Sequence, residues 1–184
     1  MLFASGMAAA TAAFTALERP RHIIASKVMY WGLRTWLKSI EQFGHEVTFV
    51  DTSDLDAVRA AIRPGKTGLL WIETPGNPLW TISDIFSLAD IAHEHDAILC
   101  VDSTVATPVF TQPLLLGADF VMHSATKYLN GHSDVVAGTL VTARRNDYWR
   151  RIETIRSQYG AILGPFEAWL LMRGMRTLEV RVNA

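Results

Sequence analysis

The feature that most constrains this chain is an alternation of short apolar runs with amphipathic segments. His22–Ser26, Val47–Val50, Leu69–Ile72, Ala97–Val101 and Phe120–Met122 are apolar and often β-branched, as strands buried on both faces should be. Between them the periodicity turns helical. Leu55, Val58 and Ile62 share one face behind a capping Ser53 or Asp54. Ile82, Ile85, Phe86, Ala89 and Ala92 form a second stripe, entered through Ser83 and Asp84. Strand–helix–strand alternation predicts an α/β fold, a mostly parallel sheet with helices on both faces. From Asn146 onward the pattern is helical, with Tyr148, Ile152, Ile155 and Tyr159 in register and a second apolar-rich helix over Phe166–Leu178.

Composition removes several function classes. Of 184 residues, 49% are apolar and 19% charged, which describes a globular chain able to bury a core in one domain. A net charge of -1 gives no electrostatic reason to expect nucleic acid or an anionic membrane as partner. The single cysteine, Cys100, rules out an intrachain disulfide, and a cytoplasmic location is expected. Met1–Leu17 is apolar and uncharged, yet no basic residue precedes it and it is too short to span a bilayer. No metal site is expected: His93-Glu94-His95 lacks the i, i+4 spacing of a zinc helix. There is no glycine-rich dinucleotide fingerprint and no P-loop. Gly131-His132-Ser133 lacks the second glycine of a hydrolase elbow.

Ligands of parallel α/β sheets sit outside the carboxyl ends of the strands. Three runs end there in polar residues: Glu73-Thr74-Pro75-Gly76-Asn77-Pro78, Asp102-Ser103-Thr104 and His123-Ser124-Ala125-Thr126-Lys127. Lys127, behind a buried strand and beside the Ser124 and Thr126 hydroxyls, is placed to form a Schiff base next to a bound phosphate. The plainer alternative is a solvated loop lysine. Asp102 ends an apolar strand, where a carboxylate is costly without a partner, and a pyridinium nitrogen is one such partner. Its alternative role is to cap the following turn. Ser5-Gly6-Met7 opens a helix whose free N–H groups suit an anion, or else Ser5 is an ordinary cap. Tyr30 follows the first strand and can stack on a planar heterocycle, or simply pack.

In their order along the chain these segments resemble the cystathionine γ-synthase, cystathionine lyase and methionine γ-lyase family of cysteine and methionine metabolism. Ser5-Gly6-Met7-Ala8-Ala9 resembles its phosphate-binding helix start, and Trp71–Pro78 its W-I-E-T-P-x-N-P segment. Val101–Pro108 is similar to V-D-N-T-F-A-T-P. Ser124–Asp134 looks like the signature around the Schiff-base lysine, and Pro165–Leu178 fits the helix that follows. The departures are Trp31 and Leu33 in a segment that is commonly Tyr-Gly-Gly-Thr, and Ser103 in place of asparagine.

The resemblance implies a fold-type I, aspartate-aminotransferase-like large domain that binds pyridoxal phosphate. Lys127 would carry the cofactor and shuttle protons, and Asp102 would pair with the ring nitrogen. Tyr30 would stack on the ring and Asn77 would lie near its phenolic oxygen, with Glu73 as support. Ser5, Gly6, Met7, Thr104, Ser124 and Thr126 complete the expected cofactor set. The implied reaction is β- or γ-elimination or replacement on a sulfur amino acid or an activated homoserine, cystathionine γ-synthase-like in the first instance. A lyase and a non-catalytic remnant are the alternatives. A homo-oligomer, dimer or tetramer, is implied for the intact enzyme. Residues 1–184 read as a partial cofactor domain, cut at both ends, without the family's N-terminal arm or C-terminal domain.

Overall fold

The computed structural model describes residues 1–18 and 20–184. In chain order its elements are β1 (Leu2–Phe3), α1 (Gly6–Thr15), β2 (His22–Ser26), α2 (Trp31–Ser39), β3 (Glu46–Val50) and α3 (Leu55–Ala61). There follow β4 (Thr67–Glu73), α4 (Ile85–His93), β5 (Ile98–Asp102), α5 (Thr107–Phe110) and β6 (Phe120–His123). The last elements are β7 (Gly138–Val141), α6 (Asp147–Gln158), α7 (Pro165–Met175) and α8 (Leu178–Asn183). The architecture is α/β and mostly parallel: β2–β3, β2–β4 and β4–β5 pair parallel, whereas β1–β7 is antiparallel. No helix among the described residues is long and apolar enough to cross a membrane.

The chain divides into two compact units. The first comprises Leu17–Asp102 and Pro113–Val121. Its strands run β3-β2-β4-β5, each reached through an intervening helix, and Glu73 of β4 stands in register with Asp102 of β5. Ile24, Leu70, Ile72, Leu99 and Val101 alternate along the strands and pack with Val58, Leu88, Ile91 and Ala92 from the helices. Each fully buried Val, Leu or Ile among them contributes about 2 kcal/mol. The intervening residues Ile23, Leu69, Trp71 and Cys100 are also buried, so these strands lack the polar alternation of a one-sided sheet. Asp54 caps α3 by accepting from Ala57 N (3.0 Å), and Asp84 caps α4 by accepting from Ser87 N (3.2 Å). The stripe expected from Ile82 begins only at Ile85. Ile82 lies before the helix and Phe86 on its outer face, both exposed, because the cap at Asp84 sets the phase.

The second unit comprises Met1–Ala16, Ser103–Gln112 and Met122–Ala184. Leu2 and Phe3 pair with Thr139 and Gly138, which places the chain start on β7. The alanine-rich opening stretch is α1. Its Ala9, Ala10, Ala12 and Ala13 are buried, small side chains that let neighbouring backbone come close, and Phe14 is buried with them. Tyr148 donates its hydroxyl to Ala13 O, and Arg151 Nε donates to Ala16 O at 2.8 Å. Ala125, Leu129, Val135, Ala137, Leu163, Leu170, Leu171 and Leu178 form this unit's core. Tyr159, expected on the inner face of its helix, is the C-cap of α6 and lies exposed.

Candidate active site

In the second unit, the start of α1 and the turn behind β6 form a cup. Ser5 is extended (φ -161°, ψ 163°) and its Oγ accepts from Ala8 N at 3.0 Å. That satisfies one N–H of the first turn and leaves those of Gly6 and Met7 without an intrahelical partner. A Cβ built on Gly6 would lie 2.9 Å from Ser124 Oγ and 3.0 Å from Ser124 Cβ. Glycine is therefore what keeps the cup open. Across it, Gly138 lets β7 pass against the backbone of Ser5, whose carbonyl oxygen would stand 2.2 Å from a Cβ there. Thr104 Oγ1 accepts from Ser124 N at 2.8 Å and so fixes the rim. Among the described residues, none makes a hydrogen bond with the Ser124 hydroxyl. The Thr126 hydroxyl is committed: it donates to Ala137 O (3.1 Å) and accepts from Ala137 N (3.0 Å), so it braces the turn.

Lys127 stands on that turn with its side chain exposed, while its own N–H donates to Ser124 O at 3.1 Å. Just upstream, His123 is buried and its Nδ1 faces Ser103 O at 3.1 Å, which assigns the proton to Nδ1. Burial lowers its pKa to about 4, so the ring is neutral. The Ser103 hydroxyl, where the family motif has asparagine, is buried without a partner.

In the first unit, the strand ends gather Tyr30, Glu73, Asn77 and Asp102. Asp102 is buried at the end of β5. Glu73 beside it is also buried and accepts two N–H bonds, Tyr30 N on Oε2 (2.7 Å) and Asn77 N on Oε1 (2.9 Å). Both bonds favour the ionised carboxylate. Burial and the charge of Asp102 outweigh them and push the pKa up to about 7. Behind Glu73 runs a buried relay of hydroxyls. Glu73 N donates to Ser26 Oγ (3.2 Å), Ser26 Oγ meets Thr52 Oγ1 (2.8 Å), and Thr52 Oγ1 meets Ser83 Oγ (2.8 Å). Ser83 N donates to Thr74 Oγ1 at 3.0 Å, and Thr74 N to Asp102 O at 3.2 Å. Five loop ends are thus tied together by short polar side chains.

Tyr30 lies at the start of α2 and is 44% exposed, so it is available to a ligand. A Cβ on Gly32 would lie 2.7 Å from Tyr30 Cε1. The ring therefore rests against the one glycine retained from the family's pair, and the substituted neighbour, Trp31, points into solvent. Within each unit the structure brings the expected residues together, Ser5, Gly6, Met7, Thr104, Ser124, Thr126 and Lys127 in one and Tyr30, Asn77 and Asp102 in the other. The three-residue histidine segment is dispersed: His93 pairs with Asp119 at 3.0 Å and Glu94 with Arg59 at 3.3 Å.

The second unit offers a lysine on a turn beside a glycine-lined anion cup, and the first offers a buried strand-end carboxylate; each is a kind of donor that pyridoxal phosphate uses. The family model described as Cys/Met metabolism PLP-dependent enzyme matches residues 1–184. The chain belongs to this family. It is 47% identical over 183 residues to cystathionine gamma-lyase of Bacillus subtilis, covering 99% of the chain and 48% of that protein. It is 45% identical to cystathionine gamma-synthase of Mycobacterium leprae, over 98% of the chain and 47% of the relative. The crystal structure of cystathionine gamma-lyase from Lactobacillus plantarum complexed with L-serine superposes with a TM-score of 0.93. The identity there is 42%, over 98% of this chain and 47% of that one. The chain thus spans about half the length of these relatives.

Proposed function

We propose that this chain carries the cofactor-binding part of a transsulfuration enzyme acting by elimination or replacement on a sulfur amino acid or an activated homoserine. The observation that carries the reading is the cup. A ten-residue helix opens with Gly6 and Met7, whose N–H groups have no intrahelical partner, against Ser124, which lies three residues before Lys127 on the same turn. Lys127 would anchor pyridoxal phosphate through its amine, Gly6, Met7 and Ser124 would hold the phosphate, and Asp102 would pair with the ring nitrogen. Bound there, the cofactor supplies an electron sink for charge developing at the substrate's α-carbon.

The residues of the chain do the rest. Asp102 is buried beside Glu73, whose own pKa is pushed up to about 7 by burial and by the charge of Asp102, and it would face the ring nitrogen. Tyr30 would cover one ring face and Asn77 would face the phenolic oxygen. Lys127 Nζ would be the base that takes a proton from the substrate's Cα and returns it at the neighbouring carbons. Synthase and lyase share these proton movements and differ in the fate of the γ-substituent. Replacement, the cystathionine γ-synthase reaction, is the form we favour. The 47% identity to a γ-lyase favours elimination as the second reading.

The test is a visible absorbance titration of the purified chain with pyridoxal phosphate, followed by assays with activated homoserine plus cysteine and with cystathionine. A saturable band competed by inorganic phosphate is expected, and its absence would sink the proposal. Gly6→Ala should weaken phosphate and cofactor affinity by about tenfold, the equivalent of roughly 1.4 kcal/mol. Unchanged phosphate affinity would move the anion site elsewhere. In an active enzyme, Asp102→Asn should keep the cofactor yet slow turnover roughly a hundredfold or more, the scale of losing one preorganised charge. An undiminished rate would show that Asp102 has another role.

A further inference from the structure

The turn that bears Lys127 is a short, irregular helical one. Asn130 N donates to Ala125 O at 3.0 Å, and Gly131 N to Lys127 O at 2.7 Å. Such a turn ends in carbonyls that its own backbone cannot satisfy. Their partner is Arg181, in α8. Its Nη1 donates to Tyr128 O at 2.8 Å, and its Nη2 reaches Leu129 O at 3.5 Å and Gly174 O at 2.8 Å. Nε donates to Thr177 Oγ1 at 2.9 Å, which orients the guanidinium plane. Only a planar fork with several donors can meet carbonyls from two helical ends at once. Its positive charge also suits the negative end of the turn.

The surroundings are shaped for this contact. Gly131 adopts φ +70°, and a Cβ on it would lie 2.1 Å from Arg181 Nη1. Gly174 of α7 passes against the backbone of Asn130, whose oxygen would be 2.1 Å from a Cβ there. Asn130 Nδ2 donates to Asp134 Oδ1 at 2.9 Å, and Asp134 is ion-paired with Arg173. Two of the three carbonyls that Arg181 holds, those of Tyr128 and Leu129, belong to the residues immediately after Lys127.

We propose that Arg181 is the positioning residue for Lys127. By capping the far end of the turn from another helix, it fixes the backbone from which the reactive amine projects. The inference rests on the reading of Lys127 as the cofactor lysine. It is tested on the whole chain by treatment with pyridoxal phosphate, borohydride reduction and peptide mapping, recorded as rate against pH. Lys66, exposed in the other unit, serves as an internal reference. Arg151→Gln is the control, since it breaks a backbone contact of the second unit at Ala16 rather than at the turn.

In Arg181→Gln, modification of Lys127 should slow by about tenfold to a hundredfold, the order that an ångström of misplacement costs. Lys66 should react as before. Arg181→Lys, able to reach one carbonyl at a time, should fall between. Arg151→Gln should lower the urea midpoint yet label Lys127 at the wild-type rate. A folded Arg181→Gln that labels Lys127 like wild type overturns the proposal. Should that variant not fold, a wild-type rate in Arg181→Lys does the same. Wild-type protein that labels Lys127 no faster than Lys66 removes the functional reading itself, and the inference with it.

Discussion

Lys127→Ala is expected to abolish the saturable covalent attachment of pyridoxal phosphate. The chain has four lysines, and Lys27, Lys38 and Lys66 are exposed amines with no anion cup beside them. In wild-type protein a label trapped by borohydride should concentrate at Lys127 and be competed by inorganic phosphate. In the variant only slow, uncompeted background at the other three should remain. Reversible affinity should persist, because the N–H groups of Gly6 and Met7 and the Ser124 hydroxyl are untouched. In an enzyme built on this chain, turnover should fall by several orders of magnitude, since one side chain both anchors the cofactor and moves the proton. The check is mass spectrometry of the reduced peptides beside a turnover assay. A saturable label in Lys127→Ala, or retained turnover, would move the cofactor to another residue.

The parts of this site legible in the sequence are those whose signal is local. Ser5 before an alanine-rich run, and Asp54 and Asp84 before apolar stripes, announce helix starts through their own side chains. The buried strands appear as unbroken apolar runs, and their polar ends mark where chemistry can sit. Strand β7 is four residues with Gly138 at its head, and it is defined by pairing with the opposite end of the chain, which no window of sequence contains. Helix α2 buries only Leu33 and Leu37 and carries a glycine in its first turn, so its periodicity is thin. The role of Arg181 was equally hidden, and that of Glu73 came only from the resemblance, which gave it as support for its neighbours. A glutamate at a strand end and an arginine near a helix end each have many uses, and only three-dimensional partners select one. Thr126 shows the converse, since its position beside the lysine invited a phosphate contact while its hydroxyl braces Ala137.

The proton on Glu73 gives the second large effect, a stability contribution that diminishes as pH rises. Its folded pKa is raised from 4.5 to about 7, so the folded state holds a proton that the unfolded chain has already released. That contribution is complete below the unfolded value and is lost as pH climbs through about 7. His22 and His123 act in the opposite sense. Burial lowers each to about 4, His22 between the hydroxyls of Thr67 and Thr48 at 2.8 Å each, so stability is lost as pH falls below 6.5. In the wild type the glutamate partly offsets the two histidines on the acid side, and stability should be nearly level above pH 6.5. Glu73→Gln removes the offset. The wild-type advantage over this variant, read from urea midpoints, should shrink by about 2 kcal/mol between roughly pH 5.5 and pH 8. The acid decline of the variant should be correspondingly steeper. An advantage that stays constant or grows with pH would mean that Glu73 is ionised throughout. Burial and the nearby Asp102 would then not hold a proton on Glu73 in the folded state.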